Sequence, residues 1–180
     1  KEKGAKTFYL IGSDYIWPRT SMKIARKHIE NFQGGKVVGE EYYPLGNTNF
    51  NSLINKIKIA KPDCIFAAVV GGSNVAFYKQ LKAAGITGAK QFLLTLSVTE
   101  DEMLGIGGEN FEGFYSSMKY FQTLDNANNK AFVEAFKKAY GPKSVIGDVT
   151  RTVIFDLDAQ RMFSFDSRKK EADAFDMATF

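Results

Sequence analysis

The chain has 180 residues, of which 44% are hydrophobic and 24% charged, as expected for a globular chain of about one domain. A net charge of +4 is too small to indicate nucleic-acid binding, and no apolar run approaches the ~18 residues of a membrane span. One Cys and one His exclude an internal disulfide and a cysteine-rich or histidine-rich metal site. The chain starts at Lys1 without Met, as expected of a processed terminus or a fragment.

In chain order, short apolar runs alternate with amphipathic segments, which predicts strands alternating with helices. Pro18 begins the first helix, where a missing N–H has no cost, and Asn47, Thr48 or Asn49 is the predicted cap of the second. The predicted strands are 6–12, 36–43, 63–70, 91–96 and 112–121. The predicted helices are 18–32, 50–60, 73–84 and 126–140, with a short helical turn at 99–104. The last helix is expected to bury an apolar face made of Ala131, Phe132, Ala135, Phe136 and Ala139.

Nearly continuous apolar strands that alternate with helices are typical of a parallel sheet with helices on both faces. The predicted fold is therefore α/β, a three-layer sandwich with a mainly parallel sheet. Ligands in such folds bind beyond the carboxyl ends of the strands, so the loops of interest are 12–18, 70–74 and 97–101.

Each of these loops carries a candidate contact together with a purely structural alternative. Tyr15 and Trp17 form an aromatic pair that either walls a small slot or fastens a helix to the core. Gly71 and Gly72 after Val70 either allow backbone to approach a ligand or make a tight turn.

In the third loop, Ser97 either faces the cleft or, like Thr99, caps a helix with Glu102 as its partner. No catalytic set emerges from the sequence, since His28 lies in a predicted helix and Cys64 in a predicted strand. Asp14, Glu100 and Asp101 could approach one another, but no nucleophile, base and orienting group follow from the spacing. We therefore expect neither an enzyme nor a cofactor or metal site.

The runs KTFYLIGSDYIWPRT, GGKVVGEEYYPLGNTNF and IFAAVVGGSNVAFYKQLKAAGI resemble type I periplasmic binding proteins, in the branch that binds urea and short-chain amides. The resemblance covers roughly residues 6–147 and matches only the second lobe of a two-lobed clamshell. It implies that Tyr15, Trp17, Val70 and Gly71, with the adjoining Gly72, lie against a small neutral ligand. The family has Tyr or Phe at the position of Trp17. The Trp17 side chain is a departure that would narrow the slot.

Two weaker candidates follow from loop position in the same family, Ser97 and Tyr120. The resemblance implies a urea or amide ligand, an ABC permease as the partner of the complete protein, and a periplasmic or extracellular location. Because the amide-sensing regulators of amidase operons share the branch, a cytoplasmic sensor module is the alternative. Neither nucleic acid nor a membrane span is expected. A single lobe is expected to bind weakly and to leave apolar surface exposed.

The predicted domains are a ligand-binding lobe at 1–148 and a tail at 149–180, where the family pattern stops. Within the tail, VIFDLD resembles the first motif of haloacid-dehalogenase-type phosphatases, in which Asp156 would be the nucleophile and Asp158 the acid/base. Ala159 and Gln160 stand where that family has Gly-Thr, which favours a coincidental match. A phosphatase fragment is the distant alternative.

Overall fold

The computed structural model describes residues 4–142, 151–156, 161–166 and 171–176, the last three ranges as backbone strands. The chain divides into two compact units, Lys1–Phe121 and Gln122–Phe180. No helix among the described residues is both long and apolar enough to cross a bilayer. The predicted end of the lobe at residue 148 stays a prediction.

The first unit is built on a five-stranded sheet in the order β2-β1-β3-β4-β5, and every neighbouring pair is parallel. Its strands are β1 (Thr7–Ser13), β2 (Lys36–Tyr43), β3 (Cys64–Ala68), β4 (Phe92–Thr95) and β5 (Tyr115–Ser116). The predicted parallel α/β fold is confirmed. The strand predicted at 112–121 shortens to two residues, and Gly113 turns the chain with φ 79° just before it.

Helices connect the strands and cover both faces of the sheet. They are α1 (Ile16–Phe32), α2 (Asn51–Ala60), α3 (Ser73–Ala83), α4 (Glu100–Ile106) and α5 (Gly108–Phe111). Phe50 occupies the N-cap position of α2, where its fully buried ring packs 5.2 Å from that of Phe77. Of the three predicted caps, Asn49 lies one position earlier, and its side-chain oxygen accepts the Asn51 N–H at 3.1 Å. Burying an aromatic ring outweighs the small gain from a capping side chain.

The two faces of the sheet are covered unequally. The larger core lies between one face and α2 to α5, where Tyr9, Ile65 and Leu93 pack against apolar residues of the helices such as Leu53 and Phe77. On the other face, α1 is the helix that covers the strands within the described part of this unit. Its Met22 and Ile29 pack against Leu10 and Ala68 in a smaller cluster.

The second unit contains α6 (Ala127–Tyr140), whose first turn is capped by Asn126 through a hydrogen bond from the Asn129 N–H. The predicted buried face of α6 is wrong: Phe132 is 50% exposed, and Ala131, Ala135 and Ala139 are also exposed. The rings of Phe132, Phe136 and Tyr140 stack along the helix instead, with centroids 6.3 and 4.7 Å apart. Helical periodicity identifies an apolar face but not whether another element covers it.

The same unit contains three antiparallel strands, β6 (Arg151–Asp156), β7 (Arg161–Asp166) and β8 (Glu171–Asp176), in the order β6-β7-β8. This arrangement contradicts the phosphatase alternative. Asp156 ends a strand that pairs antiparallel with the next one along the chain, opposite Arg161, and not a parallel strand followed by a crossover helix. Asp158 lies outside the described residues.

Candidate functional site

The carboxyl ends of β1, β3 and β4 lie side by side, so the three loops that follow these strands meet at one edge of the sheet. A hydrogen bond joins the first two loops directly, because the Val70 N–H donates to the Ser13 hydroxyl at 3.1 Å. Ser13 is buried at the last position of β1. The edge predicted from the alternation of strands and helices is therefore formed, and its loops are held by internal bonds.

The first loop presents the aromatic pair. Tyr15 is the N-cap residue of α1 in an extended conformation, and Trp17 lies in the first turn of the helix. Their ring centroids are 6.3 Å apart with the planes inclined by 33°. Tyr15 is half-buried, which raises the pKa of its phenol, and Trp17 is 40% exposed. Trp17 thus does not serve as a buried anchor of the core, and its ring is accessible to a ligand.

The charges of the first loop are paired with each other. The Arg19 guanidinium donates to the Asp14 carboxylate at 2.6 Å and lies 4.3 Å above the Tyr42 ring. This contact lowers the pKa of Asp14 and raises that of Arg19. Both side chains are solvent-exposed, so the pair fixes the loop more than it adds stability. Because Asp14 neutralises Arg19, this guanidinium is not available to pair with an anionic ligand.

The second loop brings the N-terminus of α3 to the same edge, where the Asn74 N–H donates to the Gly71 carbonyl oxygen at 3.0 Å. Gly71 has φ 61°, a conformation that favours glycine, and Gly72 is the N-cap residue of α3 without a capping side chain. The first N–H groups of a helix have no acceptors within it, so they can meet a carbonyl oxygen or an anion. Just inside the helix, Ser73 Oγ and Asn74 Oδ1 are buried without a hydrogen-bond partner among the described residues.

The third loop is fastened to the second through Ser97. The Ser97 hydroxyl donates to the Val69 carbonyl oxygen and lies 3.1 Å from Thr95 Oγ1. In return, the Asn74 side-chain amide donates to the Ser97 carbonyl oxygen at 3.3 Å. Ser97 is only 8% exposed. Its hydroxyl is therefore engaged inside the protein, which makes it a residue that positions the loops.

Thr99 begins α4 as the sequence predicts. Its N–H and hydroxyl both donate to the Glu102 carboxylate at 2.7 Å, and the predicted capping pair is confirmed. Tyr120 is half-buried after β5, where burial and the nearby Glu100 carboxylate raise the pKa of its phenol. The first turn of α4 carries Glu100, Asp101 and Glu102, so this side of the edge is acidic.

Sequence reasoning missed Ser13 and Asn74, although both connect the loops. Their hydrogen bonds join residues 57 and 23 positions apart in the chain, a distance at which no local pattern operates. Two features of the sequence could have indicated these residues. Ser13 is a hydroxyl residue at the end of an apolar run, and Asn74 is an amide residue in the first helical turn after a glycine pair. Over the described part of the chain, no three His, Cys, Asp or Glu side chains lie together as a metal site requires.

A family model described as "Periplasmic binding protein domain" matches residues 1–164. A curated relative, the Leu/Ile/Val-binding protein homolog 6 of Brucella melitensis, is 30% identical over 146 residues, which are 78% of this chain and 36% of the relative. This chain thus spans little more than a third of the length of the relatives that it matches.

Solved structures agree with this match. A solute-binding protein of an ABC transporter from R. palustris, in complex with 4-hydroxybenzoate, superposes with a TM-score of 0.69 at 31% identity, covering 83% of this chain and 40% of that one. Another, from Rhodopseudomonas palustris HaA2 with p-hydroxybenzoic acid, gives a TM-score of 0.68 at 30% identity over 77% and 38% of the two chains. An amino acid ABC transporter substrate-binding protein from Pseudomonas fluorescens Pf-5 gives 0.68 at 22% identity over 77% and 37%, which supports the fold alone.

Proposed function

We propose that this chain, which belongs to the family of periplasmic binding protein domains, is a ligand-binding lobe of a solute-binding protein that delivers urea or a short-chain amide to an ABC permease. The family consists of binding proteins, and capture rather than catalysis is the proposed mechanism. The single observation that carries the proposal is the sheet edge at which the Tyr15–Trp17 pair, a helix N-terminus without a capping side chain and the Arg19–Asp14 ion pair occur together.

The chemistry of that edge favours a neutral polar ligand. Urea is flat, with one carbonyl acceptor and four N–H donors, so the faces of Tyr15 and Trp17 can hold it. The N-terminus of α3 offers N–H groups to its carbonyl oxygen. Backbone carbonyl oxygens of the loops can accept hydrogen bonds from its N–H groups. No unpaired cation is needed for such a ligand.

An aromatic carboxylate is the second candidate, and a specific observation favours it. Two solved relatives at 30 and 31% identity hold hydroxybenzoate ligands. The aromatic pair could stack on such a ring, and the N-terminus of α3 could receive the carboxylate. Against it stands Arg19, whose guanidinium is already engaged by Asp14. A carboxylate would therefore depend on the helix terminus or on charges outside this chain.

We expect a lone lobe to supply only part of the contacts, since the chain spans 36% of its curated relative. In the complete protein, two lobes would close around the ligand and shift an equilibrium between open and closed forms. Such proteins act in the periplasm or at the cell surface. A cytoplasmic amide sensor is distinguished by its neighbouring genes, which would encode an amidase and a regulator in place of a permease and an ATPase.

Isothermal titration calorimetry tests the proposal with urea, acetamide, 4-hydroxybenzoate and leucine, on this chain and on the full product of its gene. We expect the full product to bind urea or acetamide and this chain to bind neither detectably. Binding of 4-hydroxybenzoate alone would establish the second candidate, and micromolar affinity in this chain alone would contradict the half-site. Binding of leucine alone, or of none of the four by the full product, would overturn both candidates.

The aromatic pair is tested with Trp17→Ala in the full product, and Phe32→Ala is the matched control. Both residues lie in α1, and Phe32 is exposed at the opposite end of the helix. We expect Trp17→Ala to weaken binding by at least tenfold and Phe32→Ala to leave it unchanged. Equal affinities of both variants and the parent protein would remove Trp17 from the site.

A further inference from the structure

Two polar atoms on one side of α3, Asn74 Oδ1 and the Tyr78 hydroxyl oxygen, are buried without a hydrogen-bond partner among the described residues. Asn74 is 1% exposed and Tyr78 is 0% exposed. Buried polar groups in proteins nearly always have a partner, which is either another protein group or an ordered water. We propose that one buried water molecule binds between α3 and the end of β4, where it joins Asn74, Tyr78 and Thr95.

Asn74 and Tyr78 face the same short segment of the chain. They are four positions apart, which places them on one side of α3. The Asn74 side-chain amide donates to the Ser97 carbonyl oxygen at 3.3 Å, so Oδ1 of the same amide lies beside that segment. Burial raises the pKa of the Tyr78 phenol, and the nearby Thr95 hydroxyl opposes this rise, although the two hydroxyls do not meet in hydrogen-bonding geometry.

The position of Thr95 in its strand supports this arrangement. Leu93 is fully buried in the core cluster that also contains Tyr78. Side chains two positions apart in a strand point to the same face of the sheet, so Thr95 points to the side that α3 covers. Thr95 is itself 0% exposed. Its hydroxyl is therefore enclosed together with the polar atoms of Asn74 and Tyr78.

The hydrogen bonds of this segment leave one acceptor position on Thr95 Oγ1. The Ser97 hydroxyl donates its single hydrogen to the Val69 carbonyl oxygen, so it must accept from Thr95 Oγ1, which lies 3.1 Å away. Thr95 Oγ1 also accepts the Ser97 N–H at 3.3 Å. A threonine hydroxyl has one hydrogen to donate and two lone pairs to accept with. Its hydrogen and one lone pair are thus engaged, and the second lone pair can receive another donor.

The three available positions match a single water molecule. Tyr78 offers one hydrogen, while Asn74 Oδ1 and Thr95 Oγ1 each offer a lone pair. A water that accepts from Tyr78 and donates to the two oxygens satisfies all three atoms, and buried waters typically make about three hydrogen bonds. An anion fits this set poorly, because it would face two acceptors.

Neither side chain can reach bulk solvent instead. The Tyr78 ring packs edge-on with its centroid 5.0 Å from that of Phe77 and 4.9 Å from that of Phe111, which holds the ring within the core. The bond to Ser97 fixes the Asn74 amide in the same way. Other parts of a longer polypeptide cannot contact groups that this unit already encloses. The missing partner must therefore be small enough to be enclosed with them.

The water would connect α3 to β4 beneath the site loops. Asn74 lies in the first turn of α3, and Thr95 is the last residue of β4, two positions before Ser97. Together with the bond from Asn74 to Ser97, the water would give the start of α3 a second connection to the third loop. Such a connection would be present whichever ligand the sheet edge binds.

A high-resolution crystal structure of the full gene product tests the proposal directly. We expect electron density for one water at about 2.8 Å from Asn74 Oδ1, from the Tyr78 hydroxyl oxygen and from Thr95 Oγ1. A direct hydrogen bond from Tyr78 to Thr95 or to Asn74 would overturn the proposal. So would continuous protein packing that leaves no density for a water between these atoms.

Tyr78→Phe gives an independent test in solution, and Tyr9→Phe is the matched control. Tyr9 lies in the same core and is 3% exposed, but its hydroxyl donates directly to the Glu41 carboxylate at 2.8 Å. We expect each variant to raise the equilibrium constant for unfolding by about tenfold, because each removes a buried hydrogen bond. Only Tyr78→Phe should lose a long-lived water, or shorten its residence time, in magnetic relaxation dispersion of water oxygen.

Two outcomes of that comparison would contradict the proposal. A Tyr78→Phe variant more stable than the parent protein would show that the hydroxyl is buried without any partner. A less stable variant with unchanged water relaxation would show that the partner of Tyr78 is a protein group.

Discussion

Replacing Ser97 by Ala tests whether this hydroxyl holds the site loops together or contacts the ligand. In the structure it donates to the Val69 carbonyl oxygen and lies 3.1 Å from Thr95 Oγ1. The substitution removes one oxygen from a position that is only 8% exposed, and water has little access to replace it. The two former partners then lose a hydrogen bond inside the protein.

The expected cost follows from the desolvation of those partners. A buried polar group left without its partner costs about 1–3 kcal/mol, more than the net gain from forming the bond. Ala removes no apolar volume here, so no cavity cost beyond the hydroxyl arises. We expect a loss of about 2 kcal/mol in the free energy of unfolding, or roughly 6–10 °C in Tm for a unit of this size.

Urea denaturation and thermal unfolding measure this cost, and Ser52→Ala is the matched control. Ser52 is exposed in α2, so its replacement should leave stability unchanged or raise it slightly. A change within about 0.5 kcal/mol for Ser97→Ala would refute the positioning role. Unchanged stability together with lost ligand affinity in the full product would instead make Ser97 a direct contact.

Gly88→Ala should destabilise the first unit by about 3 kcal/mol, because the new Cβ would lie 2.3 Å from the Gly113 carbonyl carbon. Gly108→Ala is the control and should leave stability unchanged, since its Cβ meets open space. Equal midpoints of the two variants in urea denaturation would contradict this reasoning. The Asp63 carboxylate accepts hydrogen bonds from the N–H groups of Lys6 and Thr7, which lowers its pKa. Its contribution to the free energy of unfolding is therefore present above the unfolded pKa of about 4 and lost as pH falls through the folded pKa. Asp63→Asn should therefore lower stability at pH 7 and reduce its loss in acid, and an unaltered pH profile would argue against the contact. Burial raises the pKa of Cys64 to about 12, so its labelling at pH 8 should follow unfolding, and rapid labelling of the native chain would show that the thiol is accessible.

The sheet and its helices were predictable because the signals that define them are local. The run VVGGSN shows this well, since an apolar strand, a glycine pair and a helix start follow one another without interruption. Gly71 has the positive φ that such a turn requires, and α3 begins at Ser73. Where neighbouring residues alone determine a turn, the predicted and observed bounds of the adjoining helices and strands differ by only a few residues.

Two of the failures share a physical cause, which is competition from distant parts of the fold. Phe50 takes the cap position of α2 because its ring is needed beside Phe77, which lies 27 positions later. The predicted strand at 112–121 begins only at Tyr115, because Gly113 turns the chain with φ 79° where its backbone packs closely against that of Gly88. Neither contact can be predicted from a short window of adjacent residues.

The candidate site was predictable as a place but not as a network. The carboxyl edge of a parallel sheet identifies three loops, which the structure brings together, and Tyr15 and Trp17 stand out there by residue type alone. The bonds that order those loops, from Val70 to Ser13 and from Asn74 to Ser97, cross the sheet edge between separate segments. They became visible only once the strand order was known.

That network also bears on how ligand selectivity would be divided within a complete binding protein. Two polar side chains at this edge are engaged internally, since Arg19 is held by Asp14 and the Ser97 hydroxyl donates to Val69. What remains for a ligand is mainly backbone N–H groups and aromatic faces, which recognise shape and planarity more than charge. Under the proposed function, selectivity between a neutral amide and a carboxylate would then depend on the groups that the rest of the polypeptide brings to the closed form. This lobe would orient the ligand against aromatic faces and the N-terminus of α3, beside the acidic first turn of α4.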